Sequence, residues 1–191
     1  MPPKVKVTKE DITRTALDLL RKEGESALNA RRLAAALNCS TQPVFSNFSN
    51  MDELRNAVIE AAYLRYFGFL KSEAESGKYP TYKAFGRAYI RFSYEEKELF
   101  KFLFMRDREG EGFVPTEDFE QSVAMIMNAN DLPRDRAVRM HLEMWACVHG
   151  IAAMMATSFF IPDWALIDEM LTDVYQGVRM RHVQAHQNTL E

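Results

Sequence analysis

Asn29-Ala-Arg-Arg-Leu-Ala-Ala-Ala-Leu-Asn-Cys-Ser-Thr-Gln-Pro-Val-Phe-Ser-Asn-Phe48 is the stretch that decides the fold. Asn29 is a good helix N-cap, and Leu33, Ala34 and Leu37 follow it at helical spacing. Ser40 is placed to cap a second short helix in which Val44 and Phe48, four residues apart, share a buried face. Pro43 falls in the first turn of that helix, where its missing N–H costs little. The opposite face carries Thr41, Gln42, Ser46 and Asn47, all small or polar. Two short helices joined by a tight turn are the build of a helix-turn-helix, whose second helix enters the DNA major groove. Gln and Asn suit the donor–acceptor pair on adenine. The same spacing also describes an ordinary helix pair with a solvated cap, and spacing alone leaves both readings open.

Outward from this stretch the chain continues as helices. Thr8 opens a capping-box pattern with Asp11, and Ile12, Ala16 and Leu19 then share a face until Gly24. Asn50 with Glu53 starts a long fourth helix through Met51, Leu54, Val58 and Ala61. Gly77 and Pro80 break it, and Thr81 restarts a helix through Phe85, Ala88, Tyr89 and Phe92, with another from Glu95 to Met105. The segment from Arg106 to Pro115, charged and with two glycines, reads as a loop. Further helices are expected from Pro115 to about Asn128, from Pro133 to about Phe160, and from Pro162 onward. No convincing alternating run or hairpin turn appears. The expectation is an all-α protein.

Composition narrows the function classes. The net charge of −3 hides an asymmetry: residues 1–49 hold eight Lys/Arg against five Asp/Glu, residues 50–191 sixteen against twenty-two. A basic end on an acidic body is what phosphate binding by the N-terminal part needs. No apolar run approaches the roughly 18–20 residues that span a membrane. Lys4 and Lys6 near the start have no apolar stretch behind them, so no signal peptide is expected. Cys39 and Cys147 form neither a disulfide framework nor a metal spacing, which fits a reducing cytoplasm. The sequence offers no nucleophile–base pair, metal cluster or glycine-rich phosphate loop, so neither an enzyme nor a cofactor is expected.

Residues 8–65 resemble the DNA-binding domain of the TetR/AcrR family of transcriptional regulators. The matching features are the amphipathic first helix, Leu33-Ala34 where the family has Ile-Ala, and Ser40 at the start of the recognition helix. Val44-Phe45-Ser46-Asn47-Phe48 is similar to its Leu-Tyr-x-x-Phe, and Asp52-Glu53-Leu54 to its Glu-x-Leu. The family usually has Tyr at Phe45 and Lys at Met51, and both commonly touch phosphate. Asn38 replaces the usual turn glycine and tolerates a left-handed backbone. The resemblance implies DNA contacts from Asn29, Arg31, Ser40, Thr41, Gln42, Phe45, Ser46 and Asn47. Arg31, Arg32, Lys9 or the Lys4/Lys6 arm are candidates to compensate for the two missing phosphate contacts.

In the body, residues 63–119 hold fifteen aromatics, Phe113 among them. Core packing accounts for most, and a subset bordering a cavity for apolar ligands is expected. Candidate lining residues are Phe67, Phe85, Tyr89, Phe92, Phe104, Met125, Trp145 and His149. Trp145-Ala-Cys-Val-His149-Gly150 is similar to the Trp-x-x-x-His-Gly signature of one C-terminal domain type in the same family. Without that resemblance His149 reads as a structural histidine, and so does His141. His182 and His186 have metal spacing but sit in a polar tail without a third ligand, so they read as surface residues. Two narrow apolar seams, Met140-Met144-Cys147-Ile151-Met154 and Trp164-Ile167-Leu171-Val174-Val178, are expected to form a two-fold four-helix bundle. Met144, Ile151, Met154, Ile167, Leu171, Val174 and Val178 are its candidate interface.

The combined expectation is a helix-turn-helix head over residues 1–50, and a ligand-binding and dimerisation body over 51–191 linked through the helix starting near 51. The expected partners are a double-stranded DNA operator, a small hydrophobic effector and a second copy of the chain, with no membrane. The expected role is a repressor released by its effector. The alternative is a helical interaction module whose helix-turn-helix no longer binds DNA.

Overall fold

Caps and left-handed backbone positions cut the chain into helices. The computed structural model describes residues 7–107, 109 and 115–190, the last three of these for their backbone only. Lys4, Lys6, Phe113 and most of the glycine-rich part of the loop after Arg106 lie outside the described residues. Among the described residues there are α1 (Lys9–Glu23), α2 (Ala30–Ala36), α3 (Gln42–Asn47), α4 (Met51–Glu75), α5 (Thr81–Glu95), α6 (Lys97–Phe104), α7 (Glu117–Asn130), α8 (Arg134–Ala156) and α9 (Trp164–Leu190), with no strand. The all-α expectation holds. Left-handed backbone follows α1 at Gly24 (φ 79°), α2 at Asn38 (φ 51°), α7 at Asp131 (φ 52°) and α8 at Ser158 (φ 59°). At Gly24 the positive φ favours glycine, and a Cβ there would also come within 2.9 Å of Glu98 Oε2, the mobile end of a side chain that can shift aside.

Contacts divide the chain into two compact units. The first runs up to Gly68 and takes in Glu95–Arg106, so α6 belongs with the N-terminal helices. The second holds Phe69–Tyr94 and the chain from Asp107 onward. The sequence reading set its boundary at residue 50. The packing gives most of α4 to the first unit, because Leu54, Val58, Ala62 and Tyr66 are all buried at intervals of four.

In the first unit α1 buries Ile12, Ala16 and Leu20. Leu20, not Leu19, completes that face. Leu33, Val44, Phe48 and, from α6, Leu99 and Phe102 are fully or almost fully buried there. Burying each of these side chains is worth about 1.5–3 kcal/mol. In the second unit Val123, Ile126, Leu132, Ala137 and Met140 form a cluster, with Tyr82, Phe119, Tyr175 and Val178 packed on it. Gly86 lets α5 come close to α8, since a Cβ there would lie 3.4 Å from Val148 Cγ2.

Candidate nucleic-acid interface

The first three helices are fixed by local hydrogen bonds. The Thr8 hydroxyl accepts from the Asp11 N–H at 3.1 Å, and the Asp11 carboxylate accepts from the Thr8 N–H at 3.2 Å. These bonds, led by that from the Thr8 side chain, hold the Asp11 carboxyl below the usual range. Asn29 Oδ1 accepts from the Arg32 N–H at 3.0 Å, and Asn29 Nδ2 donates to the Ser26 carbonyl at 3.2 Å. At α3 the cap differs from expectation. Ser40 lies one residue too early; Thr41 holds the N-cap position, and its side chain makes no cap bond. The Thr41 carbonyl accepts from the Val44 N–H at 3.1 Å, which closes the first turn around Pro43.

Glu53 ties α4 to the helices before it. Its carboxylate accepts from Lys9 Nζ and from the Ser49 N–H, each at 2.7 Å, while Asn50 Oδ1 caps the Glu53 N–H at 2.8 Å. The Lys9 and Ser49 bonds hold the Glu53 carboxyl at about 2. Lys9 Nζ also stands 4.7 Å from the centre of the Phe48 ring. Lys9 is thus occupied by its own fold. Arg32 is likewise paired, with Glu23, whereas Arg31 is exposed with no ion pair among the described residues.

The outward face of α3 is narrower than the sequence implied. Ser46 donates its hydroxyl to the Gln42 carbonyl at 2.9 Å. Asn47 Nδ2 donates to the Pro43 carbonyl at 2.8 Å and reaches the Val7 carbonyl at 3.4 Å. Asn29 is a cap with both ends of its amide in use. A base that needed the Asn47 amide N–H groups would have to displace bonds they already make, whereas no such bond among the described residues engages Asn47 Oδ1. Ser40, Gln42 and Phe45 are exposed and Thr41 is half-buried. Phe45, 53% exposed, is the large apolar group of this face.

Behind the head, the first unit contains a buried carboxylate at the start of α6. Glu96, 6% exposed, accepts from Arg21 Nε and Nη2 at 2.7 Å each and from Arg65 Nε at 2.7 Å. Burial pushes its carboxyl up, but the Arg21 and Arg65 bonds outweigh it and hold it below the usual range. Glu96 therefore clasps α1 and α4 to α6. Sequence spacing gave no hint of it, because the partners come from 75 and 31 residues away.

In the second unit, the Tyr89 hydroxyl and His149 Nδ1 share a hydrogen bond at 2.9 Å, and the Trp145 and His149 rings lie 5.5 Å apart. Tyr82 and His141 Nδ1 make a parallel pair at 3.0 Å. Burial lowers His141 to about 4 and raises Tyr82, so both stay neutral near pH 7. Two hydroxyl–imidazole pairs thus run between α5 and α8.

Residues 82–174, which contain both pairs, match the family model of the tetracyclin repressor-like C-terminal domain. This segment is similar to the tetracyclin repressor-like C-terminal family. The fold is similar to that of SCO4313, crystallised as a candidate regulatory protein, at 20% identity, TM-score 0.63, and 87% of this chain against 94% of that one. It is also similar to a protein of unknown function from Rhodococcus sp. RHA1, at 22% identity, TM-score 0.67, and 94% of this chain against 98% of that one. At these identities the likeness speaks for the fold. No curated protein matches the chain by sequence.

Within the tetracyclin repressor-like domain, the candidate pocket residues scatter. Phe92 and Tyr89 are buried, Phe85, Met125 and His149 half-buried, and Trp145 exposed. Phe67 and Phe104 belong to the first unit, where both pack against Tyr66 with ring centres 5.5 and 5.3 Å away. The seams also need correction. Met144, Ile151, Ile167 and Leu171 are already buried in the single chain, and Val178 packs on the α7–α8 cluster. Only Met154 and Val174 keep partial exposure without that packing. Among the described residues, the large apolar side chains that α8 and α9 leave exposed are Leu142, Trp145, Leu166 and Met180. Gly150 faces open space, with nothing within 4 Å of an added Cβ, so it serves no close approach within the chain. His182 is buried, 3.3 Å from Glu143 Oε2, contrary to its reading as a surface residue, because α9 packs along α8 this far. Among the described residues no group of His, Cys, Asp and Glu has a metal-binding arrangement, and no helix is long and apolar enough to cross a membrane.

Proposed function

We propose that this chain is a DNA-binding transcriptional regulator that acts as a homodimer and loosens its hold on DNA when a small, largely apolar effector binds. The observation that carries the reading is a helix-turn-helix with Gln42 and Phe45 turned to solvent, in one chain with a tetracyclin repressor-like domain. Two copies present two recognition helices, and half-sites one DNA turn apart require them about 34–36 Å apart. The two-fold contact is assigned to the face left open by α8 and α9, around Leu142, Trp145, Leu166 and Met180. An effector shifts DNA affinity only if it binds two arrangements of the protein unequally. Glu96 supports such a device, since from the start of α6 it bonds both Arg21 of α1 and Arg65 of α4. A regulator released by its effector in this way acts as a repressor.

The test is a titration of the purified chain into its own upstream DNA, followed by fluorescence anisotropy at two salt concentrations. Sequence-selective, salt-sensitive binding is expected, with the apparent affinity falling steeply as salt rises. Absence of any selective binding would favour the second reading, an interaction module with a degenerate head. The loss of a hydroxyl at Phe45 and the pairing of Lys9 with Glu53 are the observations behind that rival. Native mass spectrometry of the protein as purified tests the effector, with a retained small molecule as the expected outcome.

A further inference from the structure

The exposed face of α3 combines one amide and one carbon-only ring. Gln42 and Phe45 are three residues apart, hence neighbours on one helix face. Along the helix axis they are separated by about 4.5 Å, close to one base step of about 3.4 Å. Ser46 and Asn47 spend their donors on the backbone of α3 itself. Phe45 has no donor for a phosphate, and pressing an apolar ring against a phosphate would strip water from the anion with no hydrogen bond in return. In the major groove the apolar group on a base edge is the 5-methyl of thymine. An amide such as that of Gln42 pairs two-fold with N6 and N7 of adenine.

Resting on the proposal that the chain binds DNA, we infer that α3 reads two adjacent A·T pairs, Gln42 on an adenine and Phe45 on a thymine methyl. Phe45 is then a specificity-determining residue, not an anchor that has lost its phosphate contact. Phosphate contact falls instead to groups outside this face, exposed Arg31 among them.

The experiment starts with a randomised duplex library from which the full chain enriches its own site. If no sequence is enriched, the DNA-binding reading itself fails. With an enriched duplex in hand, each thymine is replaced singly by deoxyuridine, which removes only the methyl. One thymine per half-site is expected to weaken wild-type binding about fourfold, the worth of one buried methyl group. Phe45→Ala should bind that duplex more weakly and be indifferent to the same replacement, while Phe45→Leu should keep the dependence. Replacing the neighbouring adenine by 7-deazaadenine should weaken the wild type and leave Gln42→Ala unaffected. The inference is overturned if an enriched duplex binds equally well with every thymine replaced, or if Phe45→Ala loses as much as the wild type on replacement.

Discussion

At the scale of single residues, the charges that the fold has shifted set its response to acid. Glu53, held at about 2 by Lys9 and Ser49, is ionised in the native state well below the ordinary carboxylate value of 4.5. A depressed carboxyl contributes stability that is complete above about 4.5 and lost as the pH falls toward 2. Glu53→Gln should therefore unfold at lower temperature than the wild type at pH 6, with the gap closing between pH 4.5 and 2. A gap that stays constant across that window would contradict the assignment. His141 works in a higher window. Its neutral form is favoured by burial, so the unfolded state takes up a proton near 6.5 while the native state waits until about 4. Stability drawn from His141 is present above 6.5 and falls through that interval, by on the order of 3 kcal/mol. His141→Asn, which keeps a polar partner for Tyr82, should flatten the denaturant midpoint between pH 7 and 4. Of these two residues the sequence exposed only the local part. The Asn50–Glu53 cap was readable because its partners are three residues apart, whereas Lys9 lies 44 residues away and becomes a partner only through tertiary packing.

At the scale of elements, caps explain which helix boundaries were legible. Thr8 and Asn29 cap as their spacing indicates, because the bonds involved span three residues and need no tertiary help. The start of α3 was misplaced by one residue because its first turn is closed by the Thr41 carbonyl and by packing of Val44 and Phe48, not by a side-chain cap. This contrast is measurable. Asn29→Ala should cost about 1 kcal/mol, and Thr41→Ala only a few tenths, in denaturant unfolding. Equal losses would mean that Thr41 caps α3 after all. The turn between α2 and α3 gives a second comparison. Asn38 sits at φ 51°, a backbone that asparagine adopts readily and β-branched residues do not. Asn38→Gly should be close to neutral, and Asn38→Val should destabilise by about 1–2 kcal/mol. A valine tolerated without loss would show that the turn relaxes away from the left-handed conformation.

At the scale of the whole molecule, periodicity reveals that a helix face is buried but not what buries it. The seams on α8 and α9 were real, yet Met144, Ile151, Ile167 and Leu171 are covered by the same chain. The residues that remain open, Leu142 and Trp145 on α8 with Leu166 and Met180 on α9, are spaced more raggedly and carried less sequence signal. The proposed two-fold contact therefore leads to a test with an internal control. Leu142→Arg combined with Leu166→Arg places a charge on each helix of the open face without touching the buried seam. Desolvating two uncompensated cations against a second copy is costly, so the variant should sediment as a monomer with unchanged helical content. Ile151→Ala, inside the chain, should instead lower stability by about 2–5 kcal/mol and leave the oligomeric state alone. The DNA consequence follows from linkage. A dimer engaging two half-sites gains roughly 10²–10⁴ over one head alone. The double arginine variant should lose affinity of that order for an enriched two-half-site duplex, yet match the wild type on a duplex carrying one half-site. Full affinity in a proven monomer would exclude paired reading, while a variant that remains dimeric would move the interface away from α8 and α9.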